Sequence, residues 1–241
     1  MAAPVIAIIP ARGGSRRVPG KNIRDFHGRP MLAWTIENAR LAGIFDEIVV
    51  STDDPQVSGV AEANGASAPF VRPAELADDY TGTQPVIAHA ISALALAESA
   101  LVCCLYPAAA LLTPEDLRLS STIAKASGGD PPCASVVAYP HPVARALRLD
   151  SSGQLTWQDP AAAPSRTQDL PSLVHDAGQF YWASPARWRS GESLLNGAYG
   201  YQLPAWRAVD IDTEEDWDHA AVIAAGLRAM ACGISGGSPP P

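Results

Sequence analysis

The chain has 241 residues, with 17 Lys and Arg against 25 Asp and Glu, a formal net charge of -8. That acidic balance argues against a nucleic-acid binder, which shows a basic face. No apolar run approaches the roughly 20 residues of a membrane span, and the first residues lack the basic-then-apolar order of a signal peptide, so a cytoplasmic protein is expected.

Residues 4–9 read as a buried strand. Directly after it comes Pro10-Ala11-Arg12-Gly13-Gly14-Ser15-Arg16-Arg17-Val18-Pro19-Gly20-Lys21-Asn22. Residues 12–24 hold five cations, Arg12, Arg16, Arg17, Lys21 and Arg24, and no acid. Glycines let backbone N–H groups approach oxyanions closely, and cations neutralise them. Strand, glycines and cations in this order point to a polyphosphate pocket; the competing reading is a solvated surface turn. Only Lys21 and Lys125 are lysines, and a compact point charge at Lys21 suits a phosphate oxygen. The loop is not a Walker A motif, because five residues separate Gly14 from Gly20 and Asn22 stands where a hydroxyl is required. The dinucleotide fingerprint Gly-x-Gly-x-x-Gly is absent as well.

Further along, Pro30 opens a helix that runs to Gly43, a C-terminal cap. Residues 47–52 form a second strand ending in Asp53-Asp54, and Asp54-Pro55 starts the next helix. A short strand at 68–71, an alanine-rich helix at 83–98 and a buried strand at 101–106 follow. Thr113-Pro114 opens another helix, and 133–139 is a strand. Residues 140–175 break the pattern, being rich in Pro, Ser, Asp and Gln, and read as an insertion with extended pieces at 145–149 and 154–157. Residues 179–183 and 206–211 are late strands, 213–231 a closing helix, and 233–241 a disordered tail. The expected organisation is one domain over 1–232, built on a mostly parallel sheet with helices on both faces. Cys103, Cys104, Cys133 and Cys232 show neither zinc spacing nor a disulfide framework, so reduced thiols are expected.

Asp210 and Asp212 flank Ile211. If the strand at 206–211 persists to Asp212, both carboxylates face one side with Cα atoms about 6.6 Å apart, close enough to converge on one magnesium ion. The alternative is local: Thr213-x-x-Asp216 caps the last helix and Asp212 serves the turn.

Several of these segments together are similar to one family. Ala11-Arg12-x-x-Ser15-Arg16-x-x-Pro19-x-Lys21-Asn22 resembles the signature loop of the cytidylyltransferases that activate nine-carbon acidic sugars, the CMP-sialic acid synthetase family. The resemblance continues through Phe45-Asp46, Ser51-Thr52-Asp53, Arg72-Pro73-Ala74-Glu75-Leu76, Asp78-Asp79 and Asp210-Ile211-Asp212-Thr213, over roughly residues 4–225. Within that family, His175-Asp176-Ala177-Gly178-Gln179-Phe180-Tyr181-Trp182 is similar to the pseudaminic acid branch.

The resemblance implies a Rossmann-like fold, with CTP and a nine-carbon acidic sugar as substrates and Mg²⁺ as cofactor. It implies contacts to CTP from Ala11, Arg12, Gly13, Gly14, Ser15, Arg16, Lys21, Asn22, Arg72 and Thr83. Arg12, Lys21 and Asp212 would carry catalysis, with Asp210 and Asp212 holding the metal. Arg166, His175, Gln179 and Tyr181 fall where relatives recognise the sugar. The resemblance also implies a homodimer in which the insertion completes the neighbour's sugar pocket. Each position also has an ordinary reading: a solvated Arg16 or Arg17, Asn22 capping a turn, Arg72 ending a strand, Thr83 capping a helix, His175 in a loop, Tyr181 in the core. Pro107-Ala108-Ala109-Ala110 departs from the family, lacking a hydroxyl at Ala108 and a turn proline at Ala110. The same reaction on N-acetylneuraminic, legionaminic or another keto acid therefore stays open, as does an inactive nucleotide binder.

Overall fold

The computed structural model describes residues 3–15 and 17–235, with side chains described through residue 230. The chain opens with β1 (Val5–Pro10) and a small hairpin of β2 (Asp25–Phe26) and β3 (Arg29–Pro30). Next come α1 (Met31–Ala42), β4 (Glu47–Ser51), α2 (Pro55–Ala63) and α3 (Thr83–Ala93). They are followed by β5 (Leu101–Leu105), α4 (Pro114–Ser127) and β6 (Cys133–Ala138). The last part holds β7 (Leu147–Leu149), β8 (Leu155–Trp157), β9 (Val174–Ala183), α5 (Pro185–Arg189), β10 (Tyr199–Leu203) and α6 (Glu214–Ser235).

Helix boundaries follow the local chemistry. Gly43 closes α1 in the left-handed region. Asp54 accepts from the Gln56 N–H to cap α2, with Pro55 at the first helical position. Thr113 and Asp116 form a reciprocal box at the start of α4. Each device satisfies backbone groups that a helix end leaves without an intrahelical partner.

Six strands form one sheet in the order β10-β6-β9-β5-β1-β4. β4 and β5 lie parallel to β1, and β10 lies parallel to β6. Only β9 runs antiparallel, against both β5 and β6. The sheet is mostly parallel and Rossmann-like, as its alternating elements foretold. The period of two along β1 assigns the faces. Val5, Ala7 and Ile9 pack with α1, α2 and α4, whereas Ile6 and Ile8 pack with α3 and α5.

A third apolar cluster lies off the sheet. Val18, Phe26 and Met31 meet Val209, Ile211, Trp217 and Ala220 there. Burying a large apolar side chain contributes about 1.5–3 kcal/mol. The cluster therefore fastens the loop after β1 to the segment before α6.

Several boundaries differ from the sequence expectation. Residues 206–211 are not a strand; β10 ends at Leu203, a 3-10 turn spans Ala205–Arg207, and an irregular segment follows. The alternation that suggested a strand has another cause: Val209 and Ile211 are buried in the third cluster, while Asp210 and Asp212 point away from it. Residues 68–71 form no strand, only isolated bridges at Ser67 and Val71. The helix expected over 83–98 closes at Ala93. The insertion, expected to 175, ends earlier because β9 begins at Val174 and pairs with β6. The expected tail from 233 is helical through Ser235, and residues 236–241 lie outside the described residues.

Candidate active site

β1 has β4 on one side and β5 on the other, so the winding of the sheet reverses beside β1. Open α/β sheets bind ligands beyond the carboxyl ends of the strands at such a switch point. There a cleft of about 410 Å³ is lined by Arg12, Ser15, Arg17, Lys21, Asn22 and Asp79, with Tyr106 and Asp212 closing it. The early loop and the late acid segment thus share one cleft.

The loop is held by its own backbone. The Ala11 N–H donates to Ser51 O at 3.0 Å, and the Gly13 N–H donates to Asp53 Oδ1 at 3.1 Å. A Cβ at Gly13 would lie 2.4 Å from Asp54 Oδ2 and 2.8 Å from Asp54 Cβ, so the loop passes there only as glycine. Gly14 meets nothing within 4 Å on its Cβ side. Arg12 pairs with Asp79 at 2.6 Å and donates to Asp78 O at 2.7 Å. Asn22 Nδ2 donates to Arg12 O at 2.9 Å, and the buried Asn22 Oδ1 has no partner among the described residues. Arg16 lies outside the described residues.

Lys21 reaches across the cleft and donates from Nζ to Ile211 O. Arg17 pairs with Asp212 at 2.8 Å. Burial lowers the Lys21 ammonium below its usual value, with the charges of Asp212 and Asp210 opposing. Desolvation, and then the charge of Asp212, push the Asp210 carboxyl above the usual range; Lys21 and Arg17 resist.

Arg72 is buried beneath the loop and donates from Nε to Ser51 Oγ at 3.1 Å, with a second bond to Ser51 O. Burial pulls its guanidinium down to about 10, with Asp53 opposing. Its place is structural, although it also lines a hollow of about 570 Å³ beside Asp53 and Asp78. Thr83 opens α3, and its hydroxyl bonds the Tyr106 hydroxyl. Pro107 O accepts from Thr35 Oγ1 at 2.9 Å, and Ala108 and Ala110 pack against the third cluster.

A second chamber of about 230 Å³ adjoins, lined by Tyr106, Asp176, Gly178, Tyr181 and Asp210. Tyr106 borders both spaces. Of the residues expected to meet the sugar, Tyr181 lines this chamber. Gln179 does not: it is buried, and its amide donates to Ala177 O and Val209 O, both at 3.1 Å. It holds the carbonyl just before Asp210, while Lys21 holds the one just after. His175 is exposed against the Tyr139 ring, with centroids 4.7 Å apart. Arg166 sits on the insertion, 78% exposed, at 3.7 Å from Asp169. Neither lines the cleft or the chamber.

Tyr106 and Asp176 escaped the sequence reading. Tyr106 had a signal, because it is the first residue beyond the carboxyl end of a central strand. Asp176 stands in the segment similar to the pseudaminic acid branch, but that likeness gives it no role, and its direction depends on a bulge described below.

Among the described residues there is no cluster of three or more His, Cys, Asp and Glu suited to a metal. The acid pair still fits magnesium, which commonly takes one or two carboxylates and completes its shell with water and substrate phosphates. Asp212 faces the cleft, Asp210 lines the adjoining chamber, and the two carboxylates lie close enough for Asp212 to raise the Asp210 carboxyl.

A doubly wound α/β domain with a cation-lined cleft at its switch point is the frame of a nucleotide-using transferase. The cytidylyltransferase family model matches residues 6–191. The chain is 38% identical over 223 residues to a pseudaminic acid cytidylyltransferase of Campylobacter jejuni, covering 90% of this chain and 95% of that one. It is 31% identical over 228 residues to a CMP-N,N'-diacetyllegionaminic acid synthase of Legionella pneumophila, covering 88% and 93%. A solved CMP:2-keto-3-deoxy-manno-octonic acid synthetase complexed with CTP shares the fold, with a TM-score of 0.68 at 19% identity over 93% of this chain and 100% of that one. The chain belongs to the cytidylyltransferase family.

Proposed function

We propose that the chain transfers the cytidylyl group of CTP to the anomeric hydroxyl of pseudaminic acid, giving CMP-pseudaminic acid and pyrophosphate. The observation that carries this reading is the pair of joined spaces: a cleft edged by Arg12, Lys21 and Asp212, and a smaller chamber beyond Tyr106. The choice of sugar rests on the similarity to the Campylobacter jejuni relative. Similarity to the Legionella pneumophila relative supports a legionaminic acid as the second reading.

Arg12 and Lys21 hold the triphosphate, Asn22 braces the loop through the Arg12 carbonyl, and Arg12 exchanges the Asp79 carboxylate for phosphate oxygen. The sugar oxygen bonds to the α-phosphorus in line as the bond to the β-phosphate oxygen breaks; pyrophosphate leaves with that electron pair, and the hydroxyl proton is released to water. Lys21 and Arg12 stabilise charge on the α-phosphate where water is scarce and electrostatic attraction strong. Asp210 and Asp212 would hold a magnesium ion, which when bound neutralises phosphate charge. Incubation with CTP, Mg²⁺ and a panel of pseudaminic, N,N'-diacetyllegionaminic and N-acetylneuraminic acids tests the reading. Pyrophosphate release is expected to be fastest with pseudaminic acid. A faster legionaminic reaction selects the second reading, and CTP binding without release from any acid identifies an inactive nucleotide binder.

The reading includes a homodimer. Leu147, Leu149, Leu155 and Trp157 of the β7–β8 hairpin are exposed. A second copy that covered them would also give Arg166, remote from the cleft of its own protomer, a neighbouring site to enter. Sedimentation of the wild-type chain is expected to give a dimer, and Leu149→Glu is expected to shift it to monomer. A wild-type monomer rejects the arrangement. No helix among the described residues is long and apolar enough to cross a membrane, and a cytoplasmic reaction drawing on CTP is part of the reading.

A further inference from the structure

The small chamber has an unusual lining. Its walls are two carboxylates, Asp176 and Asp210, and two phenols, Tyr106 and Tyr181, with Gly178 between them and no cation among the described residues. Asp176 and Tyr181 are five residues apart. A regular strand would place them on opposite faces of the sheet. They meet because β9 bulges where its register against β6 shifts between Ala134 and Val136. Ser135 Oγ fills the broken ladder, accepting the Gln179 and Phe180 N–H groups at 3.1 Å each. Gly178 takes a φ of +60°, and a Cβ there would stand 3.3 Å from Asp210 Oδ2. Bulges re-aim side chains in this way beside functional sites.

The Asp176 carboxylate is held on both oxygens. Oδ1 accepts the Gly178 N–H at 2.9 Å, and Oδ2 accepts the Tyr181 hydroxyl. A carboxylate has about four acceptor positions, so about two remain for a ligand. Burial raises the Tyr106 and Tyr181 hydroxyls well above their usual range, which keeps both as neutral O–H groups at neutral pH. A sugar carboxylate placed here would meet two like charges, which Lys21 and Arg17 offset only on the Asp210 side. A hydroxyl or amide N–H would meet a fixed acceptor.

We propose that Asp176 is a specificity-determining residue, whose carboxylate receives an N–H or O–H donor of the sugar, so that the chamber admits the donor-bearing end and turns away the carboxylate. The inference rests on the proposed function for the existence of a sugar substrate, but not on which acid it is. Tyr181 is the positioning residue that fixes the carboxylate's second oxygen.

The test compares wild type, Asp176→Asn and Tyr181→Phe on whichever acid the wild type turns over fastest. Asparagine keeps the size and one acceptor oxygen but loses the charge. For Asp176→Asn, KM for the sugar is expected to rise about tenfold or more, as for a lost charged hydrogen bond. KM for CTP is expected to stay within about twofold, which separates local binding from general damage. Tyr181→Phe should raise the sugar KM less, in the same direction. Calorimetric titration of the sugar into enzyme held with a non-transferable CTP analogue should show the same order of affinities. An unchanged sugar KM in Asp176→Asn, or an equal rise for CTP, overturns the assignment. If wild type prefers another acid to pseudaminic acid, the substrate reading fails while this comparison still decides Asp176. If it turns over none, both fall.

Discussion

Replacing Lys21 with Ala is expected to lower kcat by about 10²–10³-fold, the usual cost of removing one well-placed stabiliser of transition-state charge. The melting temperature is expected to stay near that of wild type, because Lys21 is only partly buried and belongs to no apolar cluster. Two effects combine in the loss. In the proposed reaction the α-phosphate loses the ammonium charge, and Ile211 O loses its donor, so the segment between Asp210 and Asp212 is free to shift. Lys21→Arg is expected to recover only part of the activity, since a planar fork does not replace a compact point charge. Steady-state pyrophosphate release and a thermal melt check both statements. Unchanged kcat in Lys21→Ala would remove it from the catalytic group.

Arg207→Leu is expected to carry the largest stability loss, about 3–5 kcal/mol, as when one partner of a buried ion pair is removed. Arg207 pairs with Asp116 at 2.6 Å, and their side chains are 10% and 6% exposed. Asp116 is a hub: it also accepts from Thr113 at the start of α4 and from the Tyr201 hydroxyl on β10. Burial alone would raise the Asp116 carboxyl, but hydrogen bonds from Arg207 and Thr113 outweigh it and hold the carboxyl below its usual value. A depressed folded-state value stabilises the protein at pH above the unfolded value, about 3.9. That contribution is lost as pH falls through the folded-state value. Denaturant titration at neutral pH should show the loss, and the gap between variant and wild type should narrow in acid. A variant as stable as wild type at neutral pH would show that the pair adds nothing beyond its own desolvation cost. Arg207 also donates to Leu111 O at 3.2 Å, so a shifted acid segment, and lower activity, should accompany the unfolding effect.

Much of the nucleotide side was legible before any coordinates. Arg12, Ser15, Lys21 and Asn22 lie within one loop, so their proximity is a property of nearby residues in the chain. The helix caps at Asp54 and Thr113 and the stop at Gly43 were equally local. The sugar side was harder to read. Gln179 was expected to touch a ligand; the structure instead buries its amide against Val209 O. A polar residue inside a buried strand gives the same sequence signal whether it faces a substrate or a neighbouring carbonyl. Asp176 stands in the His175–Trp182 segment without a legible role, because period-two counting would assign its face wrongly across a bulge. The acid pair was reached through a strand that does not exist, although the alternation behind it was real.

The division follows from range. Alternating β and α segments, a glycine loop with its cations and an apolar-acid repeat are written in residues a few positions apart, and local sterics, capping and periodicity are enough to read them. The meeting of Lys21 with Ile211, of Asp176 with Tyr181, and of two spaces across Tyr106 is decided by packing. It depends on the off-sheet cluster around Val18 and Trp217 and on a single broken register at Ser135, whose energies arise only when distant segments exclude water together.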